Sequence, residues 1–456
     1  MSTRPERPQI GEPAPWDFPS PRVRELDNGL AVWLFDLPGQ HVVTAELCLD
    51  IPLAVEPVEH EGVAMIALRV SDEGTTTHPD GEVLDLLEAC GAAYDGGAGT
   101  HATHCSLDVP APRLRRAMEL FAEIVRTPAI AAADVERHVA LRLAEIEQAR
   151  ISPGSLASLG LKKVLYAHDD RSSRPTGGSA TSVATITTDL VRAFHDQWWR
   201  PAGAVLVVAG DLPHDVDAIV DACFADWTGP DSPAQHQAPR HQGAATASDG
   251  RPVVHLMDRP GAVQAELRLF GPSVGRGSDV FAPLQVACTA MGGSFGSRLN
   301  HLLREDRGYT YGVSMSTSPG RDQDGQWSMG GSFRTEVAVA ALGDALDTLF
   351  SNEHFTTDEV SDAITYQVGI APLRYATAEG VAAQAISLAS VGREPGYVNE
   401  HFARIRAVTP EAATDAFSQV ITPASTRALL VGDALELRPA LEAAGYQVCD
   451  LSALTD

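Results

Sequence analysis

One internal repetition constrains this chain more than any other feature. Val43-Thr-Ala-Glu-Leu-Cys-Leu49 returns as Val263-Gln-Ala-Glu-Leu-Arg-Leu269, an offset of 220 (263 − 43). Later landmarks keep nearly the same spacing: Phe194 and Phe417, Pro201 and Pro423, and Gly210-Asp211 and Gly432-Asp433, the last at 222 (433 − 211). A repeat of this period implies two homologous halves rather than a short-period solenoid. A chain of 456 residues also exceeds what one ordinary core covers, which points to two domains of roughly 200 residues each.

The local patterns assign both halves to the α+β class. VRELDNGLAVWLFDL and HVVTAELCLDI read as strands, with Asp27-Asn28-Gly29 as a hairpin turn. Glu82 to Ala89 is a helix closed by Gly91. Leu114, Met118, Phe121 and Val125 share one helical face, as do Val135, Val139, Leu143 and Ile146 after Thr127-Pro128. Phe194 to Asp211 ends the half with a helix, an Arg200-Pro201 break and the apolar strand 204–209. The polar, Pro- and Gly-rich stretch 229–252 then reads as a linker. The expected organisation is an extended arm over 1–22, a first domain over 23–228, the linker 229–252 and a second domain over 253–456. Each domain is expected to be a mostly antiparallel sheet with helices packed on one face.

A formal charge of −26 argues against nucleic acid or an anionic membrane as partner, and leaves a basic peptide or protein permitted. Residues 1–22 carry no apolar core that would make a secretory signal or anchor, and no other stretch reaches the roughly 20 apolar residues of a span. The six cysteines show no CxxC or regular spacing and read as reduced thiols, so the expected location is the cytoplasm.

Two stretches carry chemistry. Gly292 to Gly312, GGSFGSRLNHLLREDRGYTYG, reads as a glycine turn, a helix striped by Leu299, Leu302 and Leu303, a cap at Gly308, and a strand in which Tyr309, Tyr311, Val313 and Met315 alternate with small polar residues. This places Arg304 and Tyr311 on either side of one tight turn. The plain reading of that pair is a dipole-favoured arginine at a helix end and an ordinary strand tyrosine. The second stretch, Glu61 to Thr75, is an apolar helix with Arg69 near its end.

Together these runs resemble the pitrilysin/insulinase family of zinc metallopeptidases. Gly-Gly-x-x-x-Ser-Arg-Leu at Gly292 to Leu299, Leu-Arg-Glu-x-x-Gly at Leu303 to Gly308, and Tyr311 match its second half, and the resemblance runs from about Val23 to the C-terminus. It implies two halves that close like a clam around a peptide-holding cavity, with Arg304 and Tyr311 contacting substrate near the scissile bond. The family's inverted motif, His-x-x-Glu-His, sets two histidines on one helical face around Zn²⁺, with a glutamate acting on the bound water. Here those positions fall on Met65, Leu68 and Arg69, so no metal is expected in this chain. The further ligand position persists as Glu145, 76 residues after Arg69 (145 − 69), and its plain reading is a solvated glutamate or a partner for Arg69.

His168 to Gly178 resembles a loop of the same family. Gly91 to Cys105 resembles its substrate-side strand, with glycines that leave an edge able to accept a peptide. His101 and His104 read as surface or packed histidines rather than ligands, because an i, i+3 pair on a strand points to opposite faces. The resemblance therefore implies the zinc-less subunit of a two-chain peptidase, as in bacterial heterodimers and mitochondrial processing peptidase. Such a chain is inactive alone and works with a homologous subunit that bears His-x-x-Glu-His and the zinc. The alternative is a homomeric peptide-binding or scaffold protein without proteolytic activity. An independent enzyme finds no support in a His-x-x-x-His, Gly-x-Ser-x-Gly or phosphate-loop pattern.

Overall fold

A computed structural model describes residues 16–230, 234–245, 247, 250–321 and 324–452. Most of the expected N-terminal arm and parts of the expected linker lie outside these residues.

The first half builds a six-stranded sheet from β1 (Arg22–Glu25), β2 (Ala31–Asp36), β3 (Val42–Leu49), β4 (Ala93–Ala98), β5 (Thr103–Pro110) and β6 (Val205–Gly210), in the order β1-β2-β6-β3-β5-β4. The second half repeats it with β7 (Val254–Asp258), β8 (Gln264–Val274), β9 (Ser314–Pro319), β10 (Asp324–Arg334), β11 (Arg427–Gly432) and β12 (Val448–Asp450), in the order β12-β7-β11-β8-β10-β9. In each sheet the late strand lies parallel to the first long one, Val32 against Leu206 and Leu256 against Leu430, while the inner neighbours run antiparallel. The halves differ at one edge. There β1 joins β2 antiparallel through the Asn28-Gly29 turn, whereas β12 joins β7 parallel.

Strand alternation sorts side chains between two cores. On β6, Leu206 and Val208 face the helices of their own half, while Val207 and Ala209 face the second half. Trp33 and Phe35 on β2 do the same. The partner of that outer face is the helix Ala378–Ala389, whose Ala378, Val381, Ala382 and Ala385 bring it close to the strands. The exchange is reciprocal. Helix Pro153–Leu165 of the first half seats Leu156, Ala157, Val164 and Leu165 on Met257, Phe270, Leu429 and Val431 of the second sheet. A Cβ on Gly160 would come within 2.7 Å of a Leu429 methyl, which shows how closely this helix lies. Strands buried on both faces read as unbroken apolar runs, which is why 204–209 lacks polar alternation.

The described part of the arm is anchored. Phe18 is buried, with its ring edge-on to Phe35 of the first half and Tyr375 of the second, and its backbone bonds both ways with the Asn399 amide. A cavity of about 540 Å³ lies between the halves, lined among others by Glu46, His101, His104 and Ser387, with Tyr166 donating to Gln326 at 3.2 Å across it.

Candidate functional site

The helix Val63–Ser71 buries Val63, Ile66, Ala67 and Val70. Its start is held by a residue that sequence reasoning overlooked. Glu56, with its side chain fully enclosed, accepts hydrogen bonds from the backbone N–H groups of Gly62 and Ala64 at 2.9 and 3.0 Å. Its second oxygen takes Arg171 at 2.8 Å. Arg174 pairs with Glu61 at 2.7 Å. The His168–Gly178 loop thus serves as a clamp whose two arginines lock the helix entry, and a carboxylate at a helix N-terminus also satisfies its orphan donors.

Met65, Leu68 and Arg69 occupy one stretch of this helix. Met65 is half-buried against Gly177, where a Cβ would come 2.7 Å from its sulfur. Leu68 is buried beneath Gly96 of β4. Arg69 Nη1 donates to Glu145 Oε1 at 2.8 Å, and Arg142 Nη1 donates to the other oxygen at 3.0 Å. Burial opposes ionisation of Glu145, but the bonds from Arg69 and Arg142 outweigh it and hold the carboxyl below its usual range. These residues do not fit zinc. Leucine has no donor atom, arginine stays protonated, and the one carboxylate is neutralised by two guanidinium groups.

In the second stretch the helical run covers the whole leucine stripe, most of it as π-helix. Arg298–Asn300 passes directly into a π-helical turn, His301–Asp306, which buries Leu299 and Leu303 completely. Gly308 takes the left-handed cap at φ 62°, and the Tyr309 N–H returns to the Leu303 carbonyl. The expected strand begins later, at Ser314. Asn300 explains the delay: its side chain bonds both the N–H and the carbonyl of Val313, and Thr310 Oγ1 bonds the Ser332 carbonyl, so 309–313 is a pinned connection.

Tyr311 accordingly stands 98% exposed instead of half-buried on a sheet. Arg304 keeps 30% of its side chain exposed, approaches Glu305 at 3.3 Å, and stacks its guanidinium 3.8 Å from the ring centre of Phe295. Phe295, 71% exposed, is a second residue that the sequence did not single out. No hydrogen bond joins Arg304 to Tyr311 among the described residues, although each keeps part of its side chain in solvent. The glycine turn crosses β9 so closely that a Cβ on Gly292 would lie 2.8 Å from the Met315 Cβ.

His101 sits in the β4–β5 turn and His104 on β5, and both line the cavity between the halves. Burial lowers the His104 pKa, and its ring covers Gly97, where a Cβ would come within 2.6 Å. The glycines of β4 are thus needed to admit Leu68 and His104.

The duplication extends into side-chain contacts. At offset 220, Met65, Leu68 and Arg69 correspond to Gln285, Cys288 and Thr289, and Glu145 corresponds to Gln367 at 222. Gln367 Nε2 donates to Thr289 Oγ1 at 2.6 Å, matching the Arg69–Glu145 contact with neutral groups. The 220-residue repeat would have located this pair had it been carried through to single positions.

A family model for insulinase, peptidase family M16, matches residues 32–169, and a model described as the peptidase M16 inactive domain matches residues 185–366. The chain belongs to the pitrilysin/insulinase family. Among curated M16 relatives, an uncharacterized zinc protease of Mycobacterium tuberculosis is 28% identical over 296 residues, 64% of this chain and 66% of the relative. One from Streptomyces coelicolor is 26% identical over 404 residues, 86% and 85% of the two chains. The match to the mycobacterial relative spans just under two thirds of its length. Among solved structures, a peptidase M16 inactive domain from Pseudomonas fluorescens superposes with a TM-score of 0.80 at 23% identity, covering 91% of this chain and 98% of that one. A protease from Helicobacter pylori superposes at 0.82 with 14% identity, covering 91% and 100%. At these identities the likeness speaks for the M16 fold, two α+β halves.

Proposed function

We propose that this M16 chain is the non-catalytic subunit of a heteromeric zinc metallopeptidase, pairing with a homologous chain that carries His-x-x-Glu-His. The observation that carries this reading is the Arg69–Glu145 ion pair at 2.8 Å, a permanent cation at a position where the family resemblance would call for a metal ligand. Glu56 with Arg171 holds the entry of this helix, although the helix bears no ligands.

Arg304 and Tyr311 would be this chain's contribution to the shared site. Tyr311 is an exposed donor and Arg304 a partly exposed one, steadied by the Phe295 ring. Such donors can hydrogen-bond a peptide backbone or the oxyanion that forms during its cleavage. Peptide hydrolysis itself belongs to the partner.

Affinity purification from the native cell, followed by mass spectrometry, tests the proposal. Recovery of a similar-sized chain bearing His-x-x-Glu-His is the expected result. Recovery of this chain alone, as a homomer that binds peptides without cutting them, would overturn it in favour of a scaffold.

A further inference from the structure

The second half contains a cavity of about 380 Å³ at the place where the first half has its motif position. Gln285, Cys288 and Thr289 line it from one helix and Gln367 from the helix packed alongside. At the equivalent positions the first half carries the larger Arg69, paired with Glu145, and Leu68; here they are the smaller Thr289 and Cys288, and Gly293 at the end of the helix adds no side chain.

The charge of this cavity is unlike that of the chain. Two of its lining residues are cationic, Arg276 and Arg374, and none is Asp or Glu, in a protein of net charge −26. Neither arginine has a carboxylate partner among the described residues. Arg276 is mostly buried, with its guanidinium 6.0 Å from the Tyr397 ring centre and its Nε enclosed without an acceptor. A buried cation without a counter-ion is costly, and an anion entering the cavity would offset that cost. The remaining polar groups are neutral. His401 Nε2 donates to Gln285 Oε1, 2.7 Å away, and burial, followed by Arg276 and Arg404, pulls its pKa down to about 4, so the imidazole adds no charge at neutral pH.

Tyr366, Tyr375, Tyr397 and Phe402 give the cavity an aromatic wall, and Ser316 and Thr317 of the edge strand β9 give it a rim. We propose that this cavity binds an organic carboxylate, its anion held by Arg276 and Arg374 and its apolar body against the tyrosines. A planar guanidinium matches a carboxylate with two parallel hydrogen bonds. The carboxylate can come from the C-terminus of a peptide or from a free small acid. The site is independent of the subunit role proposed above.

Calorimetric titration of the full chain tests the site with five probes: N-acetyl-phenylalanine, its C-terminal amide, a pentapeptide ending in phenylalanine as free acid and as amide, and inorganic phosphate. The free acids are expected to bind at least about tenfold more tightly than the amides. Arg374→Gln, at an exposed side chain that the fold does not need, should weaken acid binding by about tenfold or more, and Arg276→Gln likewise. Tighter binding of the pentapeptide acid identifies a peptide C-terminus as the source, and tighter binding of N-acetyl-phenylalanine identifies a free acid. Equal affinity for acids and amides, no binding of either acid, phosphate binding as tightly as the acids, or an unchanged affinity in Arg374→Gln would each overturn the proposal.

Discussion

Arg69 and Glu145 meet at 2.8 Å across two helices, and Thr289 and Gln367, 220 (289 − 69) and 222 (367 − 145) residues further on, repeat the contact at 2.6 Å with uncharged side chains. A glutamate that would otherwise serve a cation here has one supplied by its own chain. The contact therefore joins the two helices without any metal, and it does so in both halves.

The first prediction concerns metal. Dialysis against EDTA should leave the thermal midpoint of the isolated chain unchanged within about 1 °C, because a ligand stabilises only the state that binds it. Titrated Zn²⁺ should show no stoichiometric site. One equivalent of tightly held zinc would contradict the reading of Arg69 and Glu145.

Arg304→Ala and Tyr311→Phe should each reduce turnover of the assembled complex, by roughly 10²-fold if the lost donor serves the oxyanion. Assembly and folding should be unaffected, since exposed substitutions usually change stability by less than about 0.5 kcal/mol. Size-exclusion chromatography beside a peptide-cleavage assay separates the two effects. Full activity in Arg304→Ala would remove this chain from the reaction.

Glu56→Gln should be far more damaging than its chemistry suggests. It removes the closer carboxylate from Arg171, which keeps Glu61 at 3.4 Å, and weakens the hold on the Gly62 and Ala64 N–H groups, a loss of about 2 kcal/mol, below that of a fully broken buried pair. Urea unfolding measures it. A double change to Glu56→Gln and Arg171→Met should cost less than the two single changes added together.

Leu429→Ala probes the exchange of helices between halves. The residue is fully buried beneath helix Pro153–Leu165, so truncation should cost about 3 kcal/mol. Because the cavity would open between the halves, limited proteolysis is expected to accelerate near 153–165 before the sheets are attacked.

The last prediction is a pH dependence. Glu46 faces the cavity between the halves, and burial, then the charges of Asp108 and Glu379, raise its pKa from 4.5 to about 7. A carboxyl raised on folding adds stability that is fully present below about pH 4.5 and lost as pH rises through about 7. A shift of this size corresponds to at most about 3 kcal/mol. Glu46→Gln should flatten that segment of the stability curve. An unchanged curve would show that the carboxylate is solvated.

Much of the fold was legible in the residues. The hairpin at Asn28-Gly29, the Gly91 and Gly308 caps, and the two helices after Pro112 rest on local periodicity and backbone preference, which act within a few residues. The duplication and the loss of ligands at Met65, Leu68 and Arg69 were equally plain. Local reasoning misplaced the strand start at Tyr309, because what delays it to Ser314 is the Asn300 side chain, acting from another element. It also passed over Glu56, whose importance lies in an arginine 115 residues away.

By itself the sequence determined the number of halves, their α+β class and the absence of a metal-binding motif, since repetition, periodicity and residue chemistry are properties of the chain alone. Only the tertiary structure decided that Arg69 closes on Glu145, that Tyr311 stands in solvent, and that Arg276 is mostly buried with no carboxylate partner among the described residues. Burial and pairing depend on which distant segments share a surface, and the reciprocal packing of each half's helix on the other half's sheet sets those surfaces.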